Sequence, residues 1–351
     1  MFTRILMTFF TLSSLSALAQ NTTYDDLWKL YNSRDFKSVI EKVKPRLEHE
    51  PNNIDLNLII GRTFADQENY DDAVPYLEST VKNDNFNSWR KAWALGYLGT
   101  CYFMLQRYED AERSLNACIH LNATKNATND AYEKLLLFGY DEFYKRWKTV
   151  ETENFRFHFQ RMDDVEIKKY TSVRERAYRE INDFFRSSLP KKIDFYVWDS
   201  KDDAKRILRS DLGFSKPHLY LVHTFHEQTI GHEMTHVISH SVNTSVKTRF
   251  INEGTAVCFD RSQRDRLKQI KRWIEINNKQ ISIMDYWKNG HKHDDEILYP
   301  LSGLFVEALI HQFGRDKFIE FLMNQTYENA RAVFGDELDK LIQEFENKIN
   351  T

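Results

Sequence analysis

Residues 154–159, NFRFHF, alternate apolar and polar side chains with period two, the mark of a strand lying on a core. The next stretch, VEIKKYTSVRERAYREINDFF, turns to helical spacing, and KIDFYVW at 192–198 reads as strand again. A short helical piece, SKDDAKRILRS, leads to a third strand, HLYLVH, at 218–223. From about Ser302 onward the spacing is helical: GLFVEALIHQF, stopping at Gly314, then RDKFIEFLM and GDELDKLIQEFENKI. Strands come first and helices after, which predicts an α+β domain over 149–351 rather than an alternating α/β one.

Upstream the chain repeats itself. Gly61, Phe64, Tyr70, Ala73 and Leu77 return 38 residues later as Gly99, Tyr102, Tyr108, Ala111 and Leu115, and Phe36, Val39 and Val43 form a weaker earlier copy. The order glycine, aromatic, aromatic, alanine, large apolar residue resembles the tetratricopeptide repeat, a helix-turn-helix unit of 34 residues. The glycine and alanine let two helices approach, Tyr70 and Tyr108 begin the second helices, and Pro51 closes one unit. One unit cannot bury its own apolar face, so an α-helical, tetratricopeptide-like solenoid of about three repeats is expected over 20–148. The segment 130–147, DAYEKLLLFGYDEFYKRW, is expected as the capping helix. Such a stack either offers a groove to a peptide or protein partner or serves as a rigid spacer.

Length and composition add limits. At 351 residues the chain has room for two or three domains, and its formal net charge of −3 steers it towards neither nucleic acid nor an anionic membrane. Residues 1–19 join one basic residue, Arg4, to a short apolar run and a small-residue ending, Ala17-Leu18-Ala19. That is the plan of a cleavable signal peptide, too short and too interrupted to span a bilayer. The expected destination is the periplasm or the exterior, with a bacterial envelope favoured by the Ala-Leu-Ala-Gln junction. Cys101, Cys118 and Cys258 are too few to frame a disulfide fold and lack the CxxC spacing of a zinc-thiolate site. Asn21, Asn122, Asn126, Asn243 and Asn324 stand in Asn-x-Ser/Thr sequons.

The chemistry concentrates in TIGHEMTHVISH, 229–240, within a stretch that holds six of the twelve histidines. On a helix, His232 and His236 fall on one side, one turn apart, and can fill two corners of a Zn²⁺ tetrahedron. Glu233 then points to the side, where it can take a proton from a water that the metal acidifies. A third ligand is available in RFINEGTAVCFD, 249–260, where Glu253 follows His236 by seventeen residues. His240 is the rival on the same helix, although three ligands from one straight helix splay around it. Asp260, seven residues past Glu253, is expected to hydrogen-bond a ligand imidazole.

GHEMTHVI followed by INEGTA resembles the gluzincin metallopeptidases, more narrowly the peptidase MA-like branch. The resemblance covers roughly 154–345 and implies a zincin-like fold, zinc held by His232, His236 and Glu253, and Glu233 as general base. The aminopeptidase motif Gly-x-Met-Glu-Asn is absent, as is the third histidine of metzincins. For the oxyanion donor the first choice is Tyr299, with His291 and His293 as alternatives. The strand HLYLVH is expected as the sheet edge that receives an extended substrate, with His223 and His226 lining the cleft. These readings amount to an exported zinc peptidase, an endopeptidase by preference, acting on peptides or proteins. The competing reading is an inactive zincin-like scaffold that works through its repeats.

Overall fold

The computed structural model describes residues 22–243 and 246–351, and the expected leader at 1–19 lies outside them. The chain divides into two compact units after Lys145, close to the boundary at 148 expected from the change of pattern. Among the described residues the fold is mostly helical, with one small mixed sheet.

Among the described residues, seven α-helices build the N-terminal unit: α1 (Tyr24–Asn32), α2 (Phe36–His49), α3 (Ile54–Asp66), α4 (Tyr70–Asn83), α5 (Trp89–Met104), α6 (Tyr108–Leu121) and α7 (Lys125–Leu137). Each packs on its successor, and α1, α3, α5 and α7 also touch in turn, so helix pairs stack side by side. The 38-residue repeat has a direct packing cause. A Cβ on Gly61 would lie 2.8 Å from Leu77 Cγ, and one on Gly99 would lie 2.5 Å from Leu115 Cγ. Each leucine thus fills the space its glycine leaves, and Ala73 and Ala111 are fully buried beside them.

The longer loop before α5 is organised by the buried Asp84, whose carboxylate accepts from the backbone N–H groups of Phe86, Ser88 and Lys91. The expected capping helix at 130–147 is corrected. α7 begins earlier, capped by Thr124, and the chain turns at Gly139, in the left-handed region at φ 71°, before a 3-10 turn at Glu142–Arg146. All three cysteines are free thiols.

The C-terminal unit opens with β1 (Lys148–Glu151), β2 (Phe155–Phe159), α8 (Asp164–Phe185), β3 (Ile193–Trp198), α9 (Lys201–Leu208), β4 (Phe214–Lys216) and β5 (Leu221–Phe225). The sheet order is β1-β2-β3-β5-β4; β2, β3 and β5 run parallel, and the edges β1 and β4 are antiparallel to their neighbours. Alternation along the strands decides the two faces. Phe155 and Phe157 meet Tyr178 and Tyr170 of α8, with ring centroids 5.6 and 6.2 Å apart.

The opposite face carries a row of stacked rings in adjacent registers. His158 lies 4.3 Å from Tyr196, Tyr196 lies 4.5 Å from His223, and His223 lies 5.1 Å from Phe214. On the same face Asp194 is fully buried with Lys191 Nζ at 2.7 Å, His158 Nε2 at 3.4 Å and Arg156 Nη1 at 3.6 Å.

Helices complete the unit: α10 (His232–Ile238), α11 (Arg249–Cys258), α12 (Arg266–Asn277), α13 (Ile283–Asn289), α14 (Asp295–Phe313), α15 (Arg315–Leu322), α16 (Tyr327–Phe334) and α17 (Glu337–Asn350). α11 crosses α14 closely, because a Cβ on Gly254 would lie 2.6 Å from the Ser302 carbonyl oxygen. No helix among the described residues is long and apolar enough to cross a membrane.

Candidate metal centre

α10 is a single pair of turns, and its position is set at the residue just before it, Gly231. A Cβ on Gly231 would lie 2.1 Å from the Phe259 carbonyl oxygen, so only glycine lets α10 approach the end of α11 this closely. Thr235, fully buried, donates its hydroxyl to the Gly231 carbonyl at 2.8 Å and locks the first turn. His232 and His236 therefore project together, with ring centroids 5.1 Å apart and planes at 84°.

α11 brings the third group. Glu253 Oε2 lies 3.3 Å from His232 Nε2 and 3.5 Å from His236 Nε2, and the three side chains are 12–18% exposed. One ligand atom from each of the three lies within 4.8 Å of the others, so the set can hold one metal ion. Two imidazole nitrogens and one carboxylate oxygen suit zinc. Burial pushes the Glu253 carboxyl up, but hydrogen bonds from both imidazoles outweigh it and hold the group well below the carboxylate range. Burial likewise disfavours a charged His232, yet Glu253 and Glu233 together raise its pKa. The three groups are poised to share a cation.

Glu233 stands beside them without joining them. Its Oε2 accepts from Ser215 Oγ at 2.9 Å, a contact supplied by the edge strand β4. A cleft of about 320 Å³ opens here, lined by Phe214, Ser215, Lys247, Asn252 and Tyr299 together with the two histidines and two glutamates. Tyr299 has its ring 5.7 Å from that of His232. Its phenol is pushed up to about 12, first by burial and then by the charge of Glu253, so it is a donor at neutral pH. It lies within α14 rather than ahead of it, because that helix runs through Pro300 from Asp295.

Several expected positions are corrected. β5 is an interior strand paired on both sides, and the edge beside the cleft is β4. His223 is buried in the ring row, where it accepts from Trp198 Nε1 at 3.0 Å, and His226 is half exposed next to Glu227; neither lines the cleft. His293 stacks on Tyr286 and pairs with Asp285 at 3.1 Å, also away from the cleft, which His291 does not line either. His240 falls on the 3-10 turn after α10 and is not one of the three convergent ligands. Asp260 lies past the end of α11, where its carboxylate accepts from the Ser262 N–H and from Arg266.

The group at hydrogen-bonding range of a ligand imidazole is Asn252, whose Nδ2 is 3.5 Å from His236 Nδ1. It ends a chain of amides: Gln325 Nε2 donates to Asn243 Oδ1 at 2.8 Å, and Asn243 Nδ2 donates to Asn252 Oδ1 at 2.9 Å. Asn243 is 2% exposed, which leaves no room for a glycan at that sequon. Sequence reasoning missed Ser215, Asn252 and Lys247. Asn252 stood within the INEGTA motif next to Glu253, whereas Ser215 and Lys247 carried no local signal.

No family model matches the chain, and no curated protein matches it.

Proposed function

We propose that this chain is an exported zinc-dependent peptidase of the gluzincin type, with a tetratricopeptide-like helical unit that engages substrate or partner. The observation that carries the reading is the convergence of His232, His236 and Glu253 from two helices, with Glu233 beside them on an open cleft. A structural zinc site is normally closed by four protein ligands, whereas three ligands on a cleft leave a position for chemistry.

His232, His236 and Glu253 would hold the ion. Bound zinc supplies Lewis acidity, which brings the pKa of water into the neutral range and polarises a carbonyl. Glu233 accepts the proton of the attacking water and returns it to the leaving amine. Ser215 fixes the direction of that carboxylate through its 2.9 Å hydrogen bond. Tyr299 donates its phenolic hydrogen to the oxygen that gains charge as the carbonyl becomes tetrahedral. The outer side of β4 offers backbone groups to an extended peptide.

Elemental analysis of the mature protein, beside Glu253→Ala, tests the centre. About one zinc per chain, largely lost in the variant, is the expected result; no zinc in either after reconstitution sinks the reading. Zinc at full content with no hydrolysis of any peptide in a diverse library would instead favour the inactive scaffold. Export is checked by N-terminal sequencing, with Gln20 expected first.

Ser215→Ala is expected to retain zinc and to lower kcat by roughly tenfold, the worth of one hydrogen bond to a charged group. An unchanged kcat would show that the hydroxyl does not orient Glu233.

A further inference from the structure

Among the described residues, Lys247 is the one lysine or arginine that lines the cleft beside the metal centre, and the chemistry derived above makes no use of it. It forms no ion pair among those residues. Partial burial lowers its ammonium pKa, and no carboxylate stands near enough to oppose that. The two carboxylates of the cleft are committed elsewhere. Glu233 accepts from Ser215 Oγ at 2.9 Å, and Glu253 faces His232 and His236 at 3.3 and 3.5 Å.

The backbone on either side of Lys247 is pinned by a single residue. The Gln325 N–H donates to the Val246 carbonyl at 2.8 Å, and Gln325 Oε1 accepts from the Thr248 N–H at 2.8 Å. Gln325 is itself fully buried, and its Nε2 donates to Asn243 Oδ1 at 2.8 Å. A side chain on so fixed a base keeps its charge in one region of the cleft, and less freedom is lost when a partner binds it.

We propose that Lys247 is a specificity-determining residue that binds a substrate carboxylate next to the bond to be cleaved, so that the preferred peptides are acidic at one position. This deepens the peptidase reading and rests on it. An ammonium offers three donors and no acceptor, so the partner it lacks is an anion. An Asp or Glu side chain and the C-terminal end of a peptide supply the same group. A cleft of about 320 Å³ admits roughly one or two side chains, which sets Lys247 close to any group held at the metal centre. Glu233 and Glu253 repel an acidic side chain elsewhere in the cleft, so the preference is confined to the position that faces Lys247.

The test uses the full chain with Glu233→Gln, reconstituted with zinc, so that no peptide is consumed. Fluorescein-labelled octapeptides are measured by anisotropy in two series. In the first, amidated, a single Glu is moved through a sequence that otherwise carries Gln. In the second the neutral sequence ends in a free carboxylate and is shortened one residue at a time. One position of Glu, or one chain end, is expected to tighten binding by about fivefold over the neutral amide. The first result assigns a side-chain source and the second a chain end; either supports the proposal. Lys247→Gln is expected to erase the gain. Lys247→Glu is expected to turn it into a loss and to favour Lys at the same position, a reversal that a merely structural role would not produce. Both substitutions leave the backbone bonds to Gln325 in place. A gain at no position, a gain that survives both variants, or no binding at millimolar peptide would overturn the proposal. Cleavage of the same peptides by wild type, with zinc measured on each preparation, reports separately on the peptidase reading: a reversible preference without cleavage would strike catalysis and leave the carboxylate site standing.

Discussion

On the peptidase reading, Glu233→Gln is expected to leave the zinc content unchanged and to reduce peptide hydrolysis by roughly 10²–10⁴-fold, the range of a positioned general base. Glutamine has the same shape and its carbonyl oxygen still accepts from Ser215, so the local packing of β4 against α10 persists. What it loses is the ability to take a proton. The ligand atoms of His232, His236 and Glu253 are untouched, because Glu233 is not among the convergent set. Single-turnover assays on wild type and variant, with metal measured on both, separate chemistry from metal loss. Undiminished hydrolysis would remove Glu233 from the mechanism and the proposed peptidase with it.

Lys191→Met is expected to cost about 3–5 kcal/mol of stability, because it strands the buried charge of Asp194. For a unit of this size that is a fall in Tm on the order of 10 °C. Lys191 and Asp194 have fully buried side chains 2.7 Å apart, and His158 and Arg156 are more distant partners. Restoring neutrality with Lys191→Met plus Asp194→Leu is expected to recover most of the loss. A single variant as stable as wild type would show that the pair is dispensable.

The same cluster sets an acid limit. Burial disfavours the charged form of Asp194, but Lys191 and His158 outweigh it and hold the carboxyl below its ordinary 3.8. Burial holds His158 below 6.5. Both groups bind protons more readily in the unfolded chain, so stability falls as pH falls, first below 6.5 and then below 3.8. Lys191→Met, which removes the strongest force lowering Asp194, moves the lower part of this limb to higher pH. Thermal melts across pH 3–8 check the sign.

The parts of this molecule that were legible in sequence are those whose signal is local. Glycines 61 and 99 with leucines 77 and 115 mark one packing contact made twice, and the spacing His232, Glu233, His236 is a property of one helix turn. Glu253 needed a second helix, and the motif around it supplied one. What escaped depends on pairing. Three residues, the length of β4, are too few to show a period, so the pattern alone makes β5 the edge and His223 a cleft residue. Seven-residue spacing puts Asp260 on the face of Glu253 only if the helix continues, and α11 ends at Cys258. The helical spacing is plain only from about Ser302, which leaves Tyr299 ahead of the helix, whereas α14 starts at Asp295 and takes Pro300 into its second turn.

The brevity of β4 has a further consequence. An antiparallel strand offers its backbone outward only at alternate residues, so three residues provide outward bonds at one or two positions. Phe214, the last ring of the row that crosses the sheet, anchors this short edge from behind. On the peptidase reading, a bound chain meets a rigid ledge that ends almost at once. Extending a synthetic peptide beyond that ledge adds no main-chain contact there, so kcat/KM should reach a plateau at a short length. Side-chain identity next to the cleaved bond, rather than the length of the chain, then governs which sequences are cut.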